Sequence, residues 1–211
     1  MARKRSSGDG LGWVAVGGLA LAAVALASAE ADRQRQVRAR QQLREKELED
    51  ARAFVYATLH ETCRAFGIAP VPLVFVEEGN AASDGHRVYV NLAWFDDLLT
   101  RHCGESACTM AVARWVLAHE IAHHVHRDAD VPLWVRNSHG LELRADYYAG
   151  RALAHFGAEF GVLDGVLREI APFPTQTHPA FHARLRASHD GFRDYVLEQA
   201  FRAQPAHALT T

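Results

Sequence analysis

The chain has 211 residues, of which 49% are hydrophobic, and it carries a formal net charge of −2 with a sequence pI near 6.7. This length suits one packed domain with an appendage and is too short for two large domains. The charge balance lacks a basic footprint, so we expect no nucleic-acid partner.

The N-terminal segment, residues 1–29, combines a basic start with an apolar run. Three basic residues among the first five precede an uncharged stretch over residues 11–29, which approaches the ~20 residues of a membrane-spanning helix. Two interpretations stay open: a single-pass membrane anchor, or a signal peptide cleaved after Ala29, whose Ala-Ser-Ala ending has the small-x-small pattern. The run exceeds the usual ~7–15-residue apolar core of a signal peptide, which favours the anchor.

Composition divides the rest of the chain. Residues 30–50 are dominated by charged side chains and predict a helical linker, residues 51–200 predict the folded domain, and residues 201–211 form a tail. Basic residues flank the apolar run on both sides, so the side of the membrane that the domain occupies stays open. We expect a membrane location through the N-terminal segment, or export if that segment is cleaved.

Strand and helix patterns mix within the domain. The run 71–76 has the length and apolarity of a buried strand, and residues 86–91 alternate as a half-buried strand does. Gly79-Asn80 and Asp84-Gly85 are turn signals. We therefore predict an α+β fold, mostly helical, with a small antiparallel sheet packed on the helices and a hydrophobic helix at the N-terminus.

The three cysteines do not form a CxxC motif, which argues against zinc-finger and thioredoxin-like sites. Cys103 and Cys108 flank a short loop and can pair in an oxidising compartment. Three free thiols, Cys63 among them, are the equal alternative, because connectivity cannot be derived from sequence.

The chemical signal lies on a helix predicted from Thr109 to about Arg127, which contains the sequence His119-Glu120-Ile-Ala-His123. Two histidines four residues apart share one helix face, so both rings can reach one metal ion. Glu120 stands on the adjacent edge, where it can accept a proton from a metal-bound water. The pattern is typical of a zinc peptidase helix.

A third metal ligand follows in a second predicted helix. A catalytic zinc needs three protein ligands and an open position, and Glu142 comes 19 positions after His123. Glu142 and Asp146 are four residues apart and share a face. One of these carboxylates can bind the metal while the other fixes a histidine ring.

The pairing of His119-Glu120-x-x-His123 with Glu142-x-x-Ala145-Asp146 resembles the gluzincin metallopeptidases. Within them it is most similar to the HtpX-like and CAAX-prenyl-protease-like family of membrane-associated zinc endopeptidases. Two weaker matches accompany it: His178-Pro179 with Arg184 resembles the family's late His-Pro-x-x-x-x-Arg motif, and residues 80–82 resemble its Asn-Ala-x strand region. The resemblance covers roughly residues 50–190.

This resemblance implies a zincin-type fold and a role for each matching residue. It implies one zinc ion, with a protein or peptide as the substrate and membrane or envelope protein quality control as the setting. The roles are metal ligation by His119, His123 and Glu142, general base and acid catalysis by Glu120, orientation of His119 by Asp146, oxyanion stabilisation by His178, and structural support by Arg184. The strand over residues 86–91 would bind an extended substrate by strand addition.

The chain also departs from the family. Members often carry several membrane helices, whereas this chain has at most one predicted span, and its second histidine lies closer to Glu142 than in many members. The substrate class of the family is therefore not transferred. A non-catalytic, zinc-stabilised, membrane-anchored adaptor is the alternative, and an interaction protein without metal is a third. The presence of Glu120 favours the enzyme.

Overall fold

The computed structural model describes residues 10–132 and 137–203, with side chains from residue 30 onward. It is mostly helical with one small three-stranded sheet, which confirms the predicted α+β class. The elements in chain order are α1 (Gly10–Ala65), β1 (Leu73–Val76), β2 (Ala81–Ser83), β3 (Val88–Asn91), α2 (Leu92–His102), α3 (Ser106–Val125), α4 (Ser138–His155), α5 (Leu163–Ile170) and α6 (Phe181–Arg202).

Helix α1 belongs to two structural units, residues 1–50 and 51–211. Its side chains over residues 30–50 are exposed, whereas Val55, Leu59 and Cys63 are buried at four-residue spacing on one face. Gly67, with φ at +68°, follows the end of the helix and supplies the left-handed conformation that commonly terminates one.

The predicted membrane segment, residues 1–29, lies outside the residues whose side chains the structure describes. Within residues 30–132 and 137–203, no helix contains a stretch long and apolar enough to cross a membrane. The anchor and the cleaved signal both stay predictions.

The sheet differs from the predicted antiparallel one. Its strand order is β1-β3-β2, with β2 antiparallel to β3 but β1 parallel to β3. The chain reverses twice between β1 and β3, once near Gly79 and once near Gly85, both with positive φ. Two reversals restore the original direction, so β3 runs parallel to β1. The turn signals were recognised, but the prediction for one of the two strand pairs is wrong.

Helix α3 is the central element of the folded unit. Along residues 111–122 every side chain except Arg114 is buried, including those of Trp115, Leu117 and Ile121. A helix that is apolar on nearly all sides must be enclosed by other elements. The histidine motif therefore occupies the interior of the fold, where packing from several sides restrains its side chains.

Helices α4 and α6 cross at very short distance because each contributes a glycine. A Cβ atom added at Gly150 would lie 1.8 Å from the backbone oxygen of Ser188, and one added at Gly191 would lie 1.9 Å from that of Tyr147. Only glycine permits backbones to approach this closely. This crossing brings the first half of α6, and Arg184 with it, against α4.

A disulfide joins Cys103 and Cys108 across the turn between α2 and α3, with their Cα atoms 5.2 Å apart. Cys63 is free and buried, and burial raises the pKa of its thiol. The pairing that the sequence left open is therefore present at the start of the helix that carries the histidine motif.

Candidate metal centre

Two neighbouring helices bring together His119, His123 and Glu142. The histidines lie one turn apart on α3, and their Nε2 atoms are 3.1 Å from each other. Glu142, in the second turn of α4, places Oε2 3.3 Å from Nε2 of His119 and Oε1 3.5 Å from Nε2 of His123. One ligand atom from each residue falls within a 4.8 Å cluster, which is compatible with a shared metal ion.

The far nitrogen of His119 is held from behind by a buried ion pair. Its Nδ1 donates a hydrogen bond to Oδ1 of Asp146 at 2.9 Å, and Asp146 accepts two bonds of 2.9 Å from Arg184. Asp146 is fully buried and Arg184 is 5% exposed. This arrangement leaves Nε2 of His119 directed at the cluster, as expected of a ligand histidine whose other nitrogen is bound by a carboxylate.

The far nitrogen of His123 is held in the same way by a residue that the sequence analysis missed. Its Nδ1 donates to Oδ2 of Asp128 at 2.7 Å, and Asp128 is 4% exposed. Arg127 has a left-handed backbone, with φ 56° and ψ 40°, and turns the chain back after α3. A left-handed arginine is uncommon and cannot be predicted from the sequence. The acidic residue five positions after the second histidine, however, could have been identified as a candidate partner for that histidine.

Burial and neighbouring charges shift the pKa values of His119 and Glu142 strongly. Burial alone would lower the pKa of His119, but the charge of Asp146 and the hydrogen bonds to Asp146 and Glu142 together outweigh burial and raise that pKa to about 9. Burial opposes ionisation of Glu142, yet the adjacent His119 and His123 hold its pKa well below the usual carboxyl range. Before a metal binds, Glu142 is therefore ionised and His119 is protonated at neutral pH.

Glu120 lies beside the ligands and is 8% exposed. Burial raises the pKa of Glu120 above the ordinary carboxyl value, although the neighbouring His119 and His123 oppose that rise. A carboxylate with an elevated pKa in a water-accessible cleft is suited to accept and return a proton near neutral pH.

Two open clefts meet at the cluster. The first, of about 430 Å³, is walled by apolar residues that include Trp94, Ile170 and Phe173. The second, of about 450 Å³, is lined by more polar groups such as Ser83, Ser138 and Thr177. His119, Glu120, Glu142 and His178 line both clefts, so the candidate centre stands at their junction.

The late motif also reaches the cluster. Nε2 of His178 lies 3.8 Å from Oε2 of Glu142, and the His178 side chain is half-exposed at the mouth of the clefts. Its Nδ1 bonds to Oγ1 of Thr177 at 2.8 Å, which fixes the ring. Arg184 is buried beside His119, where it also contributes to the wall of the first cleft.

The expectation that the strand over residues 86–91 receives an extended substrate is wrong. Within that range β3 is the middle strand of the sheet, and its backbone groups are bonded to β1 and β2 on either side. Strand addition needs an unpaired edge. The edge that borders both clefts belongs to β2, where Ala81 lines each of them.

The donor set fits a divalent transition metal. Two imidazole nitrogens and one carboxylate form a combination that zinc accepts in catalytic sites. Oε2 of Glu142 is buried and accepts no hydrogen bond from the residues that the structure describes, so an acceptor is available for a cation. Both histidines present the nitrogen that is not bonded to a carboxylate.

Comparisons of this chain with protein-family models, characterised proteins and solved structures found no match. Inferences about its chemistry therefore depend on its own residues and on their arrangement.

Proposed function

We propose that this chain is a zinc-dependent metalloendopeptidase. The observation that carries the proposal is the convergence of His119, His123 and Glu142 beside the buried Glu120, at the junction of two open clefts. A structural zinc site is usually closed by four protein ligands, whereas a catalytic one has three and an open position. Three ligands beside an open cleft favour catalysis.

In the proposed mechanism His119, His123 and Glu142 would hold one zinc ion. When bound, the ion would supply Lewis-acid chemistry and a water with a pKa of about 7. Glu120 accepts the proton of the attacking water and returns it to the nitrogen of the leaving amine. Its raised pKa supports both steps, because the carboxyl group can hold the proton between them.

His178 is the proposed donor to the developing oxyanion. Its half-exposed ring stands at the cleft mouth, and its bond to Thr177 restricts ring rotation. A donor that is fixed before the reaction stabilises the charge that develops without reorganisation. Asp146 and Arg184 act behind the ligands as positioning residues.

The proposed substrate is an extended polypeptide that pairs with β2. Asn91 donates its backbone N–H to the carbonyl of Asn80 at 2.8 Å, and hydrogen bonding alternates along antiparallel strands. The N–H and C=O of Ala81 therefore point away from β3, toward the free edge. The apolar wall of Trp94, Ile170 and Phe173 favours a bulky apolar side chain on one side of the cleaved bond.

The test is cleavage of unfolded casein and of a peptide library by the full chain loaded with zinc. Glu120→Gln keeps the size of the side chain but cannot accept the proton, so we expect zinc to stay bound and cleavage to fall by about 100- to 10,000-fold. Glu159→Gln, an exposed residue outside both clefts, is the matched control and retains activity.

Three results would be informative. Hydrolysis retained in zinc-loaded Glu120→Gln would overturn the assignment. Zinc bound by the wild type without cleavage of any peptide would favour the adaptor, and absence of zinc binding would favour the interaction protein. The peptides that are cut report whether an apolar residue is preferred next to the scissile bond.

A further inference from the structure

The turn after α3 contributes a buried carboxylate, that of Asp128, whose two oxygens contact different helices. Asp128 opens a short 3-10 turn over residues 128–130, and its Oδ2 accepts the hydrogen bond from Nδ1 of His123 at 2.7 Å. Its other oxygen, Oδ1, accepts a hydrogen bond from Nη2 of Arg144. One carboxylate therefore contacts a residue of α3 and a residue of α4.

Arg144 stands two residues after Glu142 on α4. A rigid-body displacement of α4 moves Glu142 and Arg144 together. The pair thus restrains the same helix that carries the third member of the cluster. The side chain of Arg144 is 40% exposed, so this ion pair contributes little to global stability after solvent screening.

The backbone favours this position of Asp128. The left-handed Arg127 donates its N–H to the carbonyl of His124 at 3.1 Å, and its own carbonyl accepts from Asp130 at 3.0 Å. These bonds close the turn directly under α3. The main chain therefore places Asp128 at the end of α3, within reach of His123.

We propose that Asp128 is a positioning residue that couples the two metal-bearing helices. Asp128 orients the His123 ring, so that Nε2 faces the cluster. Through Arg144 it also fixes the segment of α4 that carries Glu142. The inference rests on the proposed function only in taking His123 and Glu142 as metal ligands, and it does not require catalysis. Metal affinity, rather than stability of the fold, is the property that Asp128 controls.

The experiment measures zinc affinity of the full chain by competition with a chelator, together with the visible spectrum of the cobalt-substituted protein. We expect Asp128→Ala to weaken zinc binding by about 10- to 100-fold, the range found for residues that orient metal ligands. Asp128→Asn restores part of the loss, because its amide oxygen still accepts from His123. Asp130→Asn, an exposed residue of the same turn, leaves affinity unchanged.

Arg144→Gln removes the contact of Asp128 with α4 and tests it separately from the contact with His123. It leaves the bond to His123 in place and releases α4, so we expect a smaller loss of affinity than in Asp128→Ala. The double variant Asp128→Ala with Arg144→Gln binds zinc no more weakly than Asp128→Ala alone, since the arginine acts through the aspartate. Additive losses would overturn the coupling.

Urea unfolding of the metal-free proteins distinguishes positioning from folding. A changed cobalt spectrum with near-wild-type stability supports the proposal. Wild-type affinity and spectrum in Asp128→Ala would overturn it, as would an affinity loss in Arg144→Gln that only follows a loss of stability. Failure of the wild type to bind zinc would instead refute the proposed function.

Discussion

Each histidine of the candidate centre bonds to a carboxylate that is paired with an arginine, but the two carboxylate–arginine pairs differ in burial. His119 is backed by Asp146 and Arg184, all of them buried between α3, α4 and α6. His123 is backed by Asp128, whose partner Arg144, on α4, is partly exposed. The sequence motif treats the two ligands as equivalent, whereas the structure gives them unequal support.

The difference shows how burial changes the role of an ion pair. A buried pair that loses one partner leaves an uncompensated charge in a low-dielectric interior, which is strongly destabilising. A partly exposed pair is screened by water and contributes mainly to geometry. We therefore expect changes behind His119 to unfold the domain, and changes behind His123 to act chiefly on the metal.

The largest effect should come from Arg184→Ala. Its loss leaves the buried Asp146 without its arginine, and we expect the free energy of unfolding to fall by about 3–5 kcal/mol. Urea unfolding of the metal-free protein measures the loss. Arg193→Ala, on the exposed face of the same helix, is the control and should change stability very little. A loss as small as that of Arg193→Ala would contradict the expectation that the ion pair behind His119 supports the fold.

Gly150→Ala tests the helix crossing that delivers Arg184 to Asp146. The added methyl group meets the backbone of Ser188, so α6 must shift, at a cost of about 1–3 kcal/mol as in other overpacked sites. Gly161→Ala, where no atom lies within 4 Å of the added Cβ, is the matched control. We also expect weaker zinc binding in Gly150→Ala, measured by chelator competition. Unchanged stability would show that α6 adjusts freely.

The pH dependence of the His119 side sharpens the comparison further. In the metal-free protein the pKa of His119 rises from 6.5 to about 9, so its stabilising effect is complete below pH 6.5 and is lost as the pH rises through 9. Zinc must displace that proton, so its affinity should increase about tenfold per pH unit toward pH 9. Metal-free stability and zinc affinity thus change in opposite directions.

Calorimetric zinc titrations at pH 6.5, 7.5 and 8.5, in buffers of different ionisation enthalpy, measure the affinity and the number of protons released. About one proton per zinc is expected below pH 9. An affinity that does not vary with pH, after correction for zinc hydrolysis and buffer binding, would mean that His119 is already neutral. The Asp146 charge would then have less influence than its contact distance indicates.

Local sequence was sufficient for the features that depend on helix periodicity. The spacing of His119 and His123 places both on one helix face in any α-helix, and the same rule places Glu142 and Asp146 together on α4. The helix predicted from Thr109 to about Arg127 also matches α3, Ser106–Val125, to within three residues at each end. The α+β class required no more than these signals.

Tertiary structure decided the features that depend on contacts between distant residues. Arg184 meets Asp146 across 38 positions only because Gly150 and Gly191 let α4 and α6 approach closely, and glycine inside a helix gives no such indication by itself. Asp128 comes close to His123 because the preceding Arg127 has a left-handed backbone, which no glycine or asparagine at that position predicts. Strand order likewise depends on pairing, so only the folded chain shows that β2, rather than β3, is the edge strand beside the candidate metal centre.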